Sequence, residues 1–219
     1  MNVGMYMTKG PMTIPSKSTI GLAAAMMVKH QIRRLPVVDA GRLMGMLAKI
    51  DVALAFPPHV NPFVAGANLS SVATTVGEVM SRNLVAVAPE TPLDDAAQLM
   101  REKKFGGLPV LLGGRSVGII TESDVFRAVF EMLGSGRPGL QVTFDLSERE
   151  DAVAVIFDIA KKFQVQVASV LCLTHDDKRV AVVRLLGGEK PGLIDAIWSS
   201  GHRVLSVRRD GARVSPATK

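Results

Sequence analysis

Cysteine is almost absent: Cys172 is the only one in 219 residues, so no disulfide can form within the chain. Its apolar, strand-like surroundings predict a buried and inert thiol. Aromatic residues are scarce, with eight Phe, one Tyr and one Trp, which leaves little ring surface for stacking nucleic-acid bases. No apolar run approaches the roughly 18 residues of a membrane-spanning helix; the longest candidate is residues 20–28. The opening Met1-Asn2-Val3-Gly4 lacks the basic end and apolar stretch of a secretion signal, so a cytoplasmic protein with no membrane partner is expected. His30, His59, His175 and His202 fall at no metal-ligand spacing, which predicts no metal site. No Ser/His/Asp or Cys/His arrangement and no phosphate-binding loop is legible, so no catalytic residue or catalytic cofactor is assigned and a free-standing enzyme is disfavoured.

What is present begins with 47% apolar residues, ample for a packed core, and a net charge of +6. That charge points to anionic partners: nucleotides, nucleic acid or an acidic protein surface. Its sign alone does not choose among them.

The chain also says one thing twice. Residues 4–55 lie over residues 77–128 without a gap, at a constant offset of 73 positions. Met7 falls on Met80, Leu35-Pro36-Val37 on Leu108-Pro109-Val110, Gly45 on Gly118 and Asp51 on Asp124. One such unit cannot bury its apolar face alone, so two copies are expected to meet at a pseudo-two-fold axis and leave two related clefts. Each copy reads strand, helix, strand, strand, helix. The first gives strands at 12–15, 35–39 and 43–47 with helices from Ser18 and Ile50; the second gives strands at 84–88, 108–112 and 116–120 with helices to about Lys104 and over 122–133. A small and polar stretch, 65–71, connects them.

The six residues 134–139, Gly-Ser-Gly-Arg-Pro-Gly, mark a domain boundary. Beyond it the order is βαββαβ: strand 140–146, helix 149–163, strand 165–174, a turn at Asp176-Asp177, strand 179–186, helix 192–200 and strand 203–208. Val153, Ile156, Phe157 and Ala160 recur on one side of the first of these helices and are predicted to face the sheet. Residues 210–219 read as a polar tail.

The chemistry concentrates in Gly118-Ile119-Ile120-Thr121-Glu122-Ser123-Asp124, a strand that runs into a helix start. Asp124 can accept hydrogen bonds from both hydroxyls of a ribose diol, while Thr121, Ser123 and the first-turn N–H groups can hold a phosphate. Thr-x-x-Asp is equally a capping box. The first copy, Gly45-Met46-Leu47-Ala48-Lys49-Ile50-Asp51, keeps the aspartate without the capping hydroxyl, which favours a second job for the carboxylate.

These residues resemble a tandem pair of CBS domains, also called a Bateman module. Met7-Thr8 and Met80-Ser81, the two Leu-Pro-Val strands and the two aspartate endings carry the likeness over about residues 3–133. The resemblance implies an α+β fold with pseudo-two-fold symmetry in 1–134, from repeats at about 3–57 and 75–134. It implies a non-enzymatic regulatory sensor that takes AMP, ADP, ATP or another adenosyl compound in a cleft between the repeats. The better site would combine Ile119, Thr121, Ser123 and Asp124 with Thr8, Gly10, Met12, Ile32, Arg33 and Arg34. In it Asp124 would hold the ribose, Met12 and Ile32 the adenine faces, and an arginine the phosphate. A weaker sister site would use Asp51 and Lys49 with Ser81, Asn83, Val85, Phe105, Gly106 and Gly107. Ala48 there removes a hydroxyl and Gly106-Gly107 replace Arg33-Arg34, with Lys49 in partial compensation.

Residues 139–209 resemble an ACT domain, a ferredoxin-like βαββαβ module that binds amino acids or pairs subunits. The loop 146–151 carries two glutamates and an aspartate where that family has Pro-Gly, so sheet-to-sheet pairing in a homodimer is expected rather than amino-acid capture. The combination is similar to acetoin-utilisation B type proteins. A basic nucleic-acid-binding protein and an amino-acid-sensing ACT regulator are the alternative readings.

Overall fold

A computed structural model of the chain describes residues 1–64, 69, 72–134, 136–147, 151–175, 177–188, 190–209 and 212–213. Most of the predicted connection at 65–71, Ser135 of the predicted boundary, residues 148–150 at the predicted helix start, Asp176 of the predicted turn and the tail apart from 212–213 lie outside the described residues. The chain divides into two compact units, Met1–Phe126 and Arg127–Lys219.

The first unit opens with α1 (Val3–Tyr6) and β1 (Thr8–Lys9), followed by α2 (Ile20–Lys29), β2 (Arg34–Asp39), β3 (Arg42–Ala48) and α3 (Lys49–Ala55). The second copy supplies α4 (Val76–Val79), α5 (Leu93–Lys103), β4 (Gly107–Leu112), β5 (Arg115–Thr121) and α6 (Glu122–Met132), and the division between units falls within α6. Asp94 and Asp95 sit in the first turn of α5 and Arg101 and Lys103 in its last, the order that the helix dipole favours. The one-turn helices α1 and α4 are too short to leave a periodic signal and were not expected from the sequence.

The offset of 73 is visible in the backbone. Thr8 pairs with Ile119, and at the equivalent positions Ser81 pairs with Met46. Asn2 bridges Pro92 as Thr75 bridges Thr19, and Ile14 meets Val37 as Val87 meets Val110. Each copy therefore donates its opening segment to the last strand of the other. The glycine of each Gly-h-h segment makes that crossing possible. A Cβ at Gly45 would lie 2.6 Å from Met80 Sδ and 2.8 Å from the Ser81 carbonyl oxygen, and one at Gly118 would lie 2.5 Å from Met7 Sδ. The strands expected at 12–15 and 84–88 reduce to single bridges at Ile14 and Val87. Pro11, Pro15 and Pro89 flank these points and have no N–H to extend a ladder. The core of the first copy gathers Ile14, Ile20, Leu35, Val37, Leu47 and Val52, with Val76 and Met80 from the second copy packed in the same cluster.

In the second unit, β6 (Leu140–Asp145), α7 (Ala152–Phe163), β7 (Gln166–His175), β8 (Lys178–Leu186), α8 (Leu193–Trp198), β9 (Val204–Arg209) and β10 (Ala212–Arg213) follow in turn. The strands form one antiparallel sheet in the order β10-β9-β6-β8-β7. Phe144, Val183, Leu185 and Val207 from the strands meet Ile156, Leu193 and Ile197 from the helices. Two expectations fail here. Phe157 is 50% exposed, whereas Ile159 is buried. At 100° per residue, positions 152, 156, 159, 160 and 163 form one stripe, and 157 lies off it. Cys172 is exposed, not buried, because β7 is an edge strand with a neighbour on one side alone among the described residues.

Candidate functional site

β5 ends at Thr121 and α6 starts at Glu122, so Asp124 falls in the first helical turn. Its Oδ2 accepts the Thr121 amide at 2.9 Å and the Thr121 hydroxyl at 2.7 Å. The residue is only 7% exposed, an unusual burial for a carboxylate. Pairing of β1 with β5 lays Thr8, Gly10, Pro11 and Met12 alongside Ile119, and the turn after α2 brings in Gln31, Ile32, Arg33 and Arg34. With Thr121, Ser123 and Asp124 these residues line one cavity of about 330 Å³. All ten residues predicted for the better site are therefore brought together, and Pro11 and Gln31 join them. Arg33 donates to Ser123 Oγ at 3.2 Å, joining the two copies across the cleft. Met12 remains 41% exposed, so the cleft has apolar surface still to be covered.

The pseudo-symmetric cavity measures about 300 Å³. It is lined by Asp51, Ser81, Asn83, Val85, Phe105, Gly106 and Gly107 as expected, and also by Ala48, Ile50, Leu84 and two cations, Arg34 and Lys104. Lys49 is not among the lining residues: its Nζ stands 4.4 Å from the centre of the Phe63 ring, in a cation–π contact. A second expectation is narrowed. Asp51 Oδ2 accepts the Ala48 amide at 2.8 Å, so this aspartate still caps its helix although the hydroxyl is gone. Retention of Asp51 thus has a structural cause of its own.

Arg34 was predicted for the Asp124 cleft alone and lines both. Its guanidinium occupies the space in which a side chain at Gly106 would stand: a Cβ there would lie 2.5 Å from Arg34 Cζ and 3.0 Å from Glu122 Oε2. Burial holds the Arg34 pKa below its ordinary value, the Glu122 carboxylate opposes that shift, and Arg33 adds to it. The group remains a cation. The signal for this reach was present in the sequence as the Arg33-Arg34 to Gly106-Gly107 exchange, but spacing alone did not show that one copy vacates the room that the other fills.

Among the described residues, no group of three or more His, Cys, Asp or Glu side chains is placed to hold a metal ion. No described helix is long and apolar enough to cross a membrane.

A sequence profile of the CBS domain matches residues 3–57 and again residues 76–131, together just over half of the chain. The CBS domain-containing protein YhcV of Bacillus subtilis is 35% identical over 119 residues, covering 54% of this chain and 79% of that one. L-aspartate semialdehyde sulfurtransferase of Methanocaldococcus jannaschii is 32% identical over 123 residues, 55% of this chain, but the match spans only 22% of that enzyme. Among solved structures, the CBS-domain pair of protein MJ0100, in complex with 5′-methylthioadenosine and S-adenosyl-L-methionine, superposes with a TM-score of 0.51 at 31% identity, covering 60% of this chain and 97% of that one. A Vibrio cholerae chain described as an acetoin utilization protein (AcuB) gives 0.52 at 31% identity, over 61% and 95%. CBSX2 of Arabidopsis thaliana in complex with AMP gives 0.50 at 27% identity, over 59% and 96%.

Proposed function

The chain belongs to the CBS-domain family, and from that premise we propose that it is a regulatory protein that binds an adenosine compound between its two repeats. The observation that carries this reading is the Asp124 cleft. The buried carboxylate of Asp124, the cations Arg33 and Arg34, and the hydroxyls of Thr8, Thr121 and Ser123 converge from the two copies on one cavity of about 330 Å³. A carboxylate accepts hydrogen bonds well from the two hydroxyls of a ribose, and Asp124 lines this cavity. Ser123, already within hydrogen-bond reach of Arg33, marks where a phosphate would sit, next to the N-terminal N–H groups of α6. Met12 and Ile32 supply apolar surface for the adenine. The related MJ0100 pair holds 5′-methylthioadenosine and S-adenosyl-L-methionine, and CBSX2 holds AMP.

Binding acts by differential affinity: a ligand that prefers one angle between the copies shifts the population toward it. No bond is broken in this scheme. The match to the sulfurtransferase spans 22% of that enzyme, so its activity is not carried over to this chain. The second unit serves as the ACT-like, ferredoxin-like module, and its strand order with an edge at β7 suits pairing of two subunits into a homodimer.

Thermal-shift titration of the full chain with AMP, ADP, ATP, 5′-methylthioadenosine, S-adenosylmethionine and amino acids tests the proposal. Stabilisation grows with ligand concentration over Kd, so even weak adenosine binders register. A rise with adenosine compounds and none with amino acids supports the reading. Silence toward every adenosine compound at millimolar concentration rejects it.

A further inference from the structure

The two clefts are related by symmetry, yet one cation serves both. Arg34 lines the Asp124 cleft, and its side chain crosses to Gly106 and Gly107, so it lines the Asp51 cleft as well. No second side chain can be added there without displacing it, because a Cβ on Gly106 would fall within the Arg34 guanidinium. At rest the Glu122 carboxylate lies beside the same spot and attracts the cation. Arg33 reaches Ser123 and lines the Asp124 cleft alone. Lys49, the cation that the sequence offered to the Asp51 cleft, stacks on Phe63 instead.

On the reading that both clefts take adenosine compounds, we propose that Arg34 is a shared anion-binding residue, so that phosphate-bearing ligands in the two clefts compete for one guanidinium and weaken each other's binding. A guanidinium has a fixed planar fork and cannot point both ways at full strength. The Asp124 cleft has the planar fork of Arg33 in reserve, whereas the Asp51 cleft, among the described residues, has only the single ammonium of Lys104 beside Arg34 and loses its one bidentate donor when Arg34 turns away. Ligands without a phosphate place no demand on the cation and should occupy the two clefts independently. The coupling must run equally in both directions.

The test follows AMP into the Asp51 cleft of the full chain by the backbone amide signals of Asn83 and Phe105. In wild type this occupancy occurs with the Asp124 cleft filled. Asp124→Ala, or Met12→Trp where the first variant melts too low, closes the Asp124 cleft and frees Arg34. AMP should then bind the Asp51 cleft more tightly, by about five-fold or more for an ordinary coupling. The gain should vanish when Arg34→Gln is added, and should be missing for 5′-methylthioadenosine. An Asp51-cleft affinity that stays the same or falls on closing the other cleft overturns the shared-arginine proposal, as does an equal gain for 5′-methylthioadenosine. Failure of both compounds to bind either wild-type cleft rejects the adenosine reading itself.

Discussion

The Asp124 cleft has Thr121 and Ser123 on one wall and receives Arg33 and Arg34 from the other copy; the Asp51 cleft has Ala48 and Ile50 at the matching positions and receives Gly106 and Gly107. The backbone around them has not diverged in the same way. Each aspartate still accepts the amide three residues before it, at 2.9 and 2.8 Å, and each opening segment still crosses to the last strand of its sibling. Duplication has kept what closes the fold and altered what faces a ligand. The capping role explains why an aspartate survives in both copies, and only the hydroxyls and cations around it distinguish the clefts.

The comparison can be broken most sharply at the aspartates. Asp124→Ala should weaken the tighter adenosine site by about ten-fold or more, the scale of hydrogen bonds to a charged acceptor. It should cost the fold about 1 kcal/mol through the lost cap. Asp51→Ala should leave that tighter site within about two-fold of wild type by calorimetry, since the tighter site fills while the weaker cleft is still empty and makes no demand on Arg34. An equal loss in both variants would erase the asymmetry.

The crossing glycines come next. Gly45→Ala places a Cβ 2.8 Å from the Ser81 carbonyl, a backbone atom that cannot swing aside, and should destabilise by about 1–3 kcal/mol in chemical denaturation. Gly118→Ala meets chiefly the end of the flexible Met7 side chain, with the Thr8 carbonyl at 3.1 Å, and should cost less.

A gain is expected at Ala48→Thr, which restores the hydroxyl of the first copy's capping box beside Asp51. The cap should add about 0.5–1 kcal/mol to stability, and the new hydroxyl should strengthen the Asp51 cleft for AMP. No change in melting temperature would mean that the Ala48 amide alone satisfies the aspartate.

The smallest effect concerns acid. Hydrogen bonds from the Thr75 hydroxyl and amide hold the Glu78 carboxyl below its usual range, and those of Ser16 do the same for Asp39. A depressed carboxyl contributes stability that is present above its unfolded pKa and is lost as pH falls through the folded one. The melting temperature should therefore lose this contribution only below about pH 4, and Glu78→Gln should shrink the loss. Glu78 belongs to the opening turn of the second copy, where the first copy has Met5, so the difference again separates the repeats.

Much of this was legible beforehand because a repeat carries its own check. The constant offset located both clefts, and the strand-turn-strand segments around Gly41 and Gly113-Gly114 appear within a residue or two of their expected ends. Three things were hidden for physical reasons. Single-turn helices such as α4, four residues long, span barely one hydrophobic period and show no recurrence. The exposure of Cys172 depends on which strand ends the sheet, a long-range fact that its apolar neighbours in sequence cannot report. The reach of Arg34 and the retreat of Lys49 onto Phe63 depend on long side chains crossing between elements, which residue spacing does not encode.

The most direct measurement is a titration of the isotope-labelled full chain with AMP, read at backbone amides. Shifts should begin at Thr8, Gly10, Ile32 and Arg33 in the first copy and at Thr121, Ser123 and Asp124 in the second, at lower concentration than at Asn83 and Phe105. Shifts that appear first outside both clefts, or that leave Asp124 unmoved at saturation, would contradict the central claim that this buried carboxylate holds the sugar of an adenosine ligand.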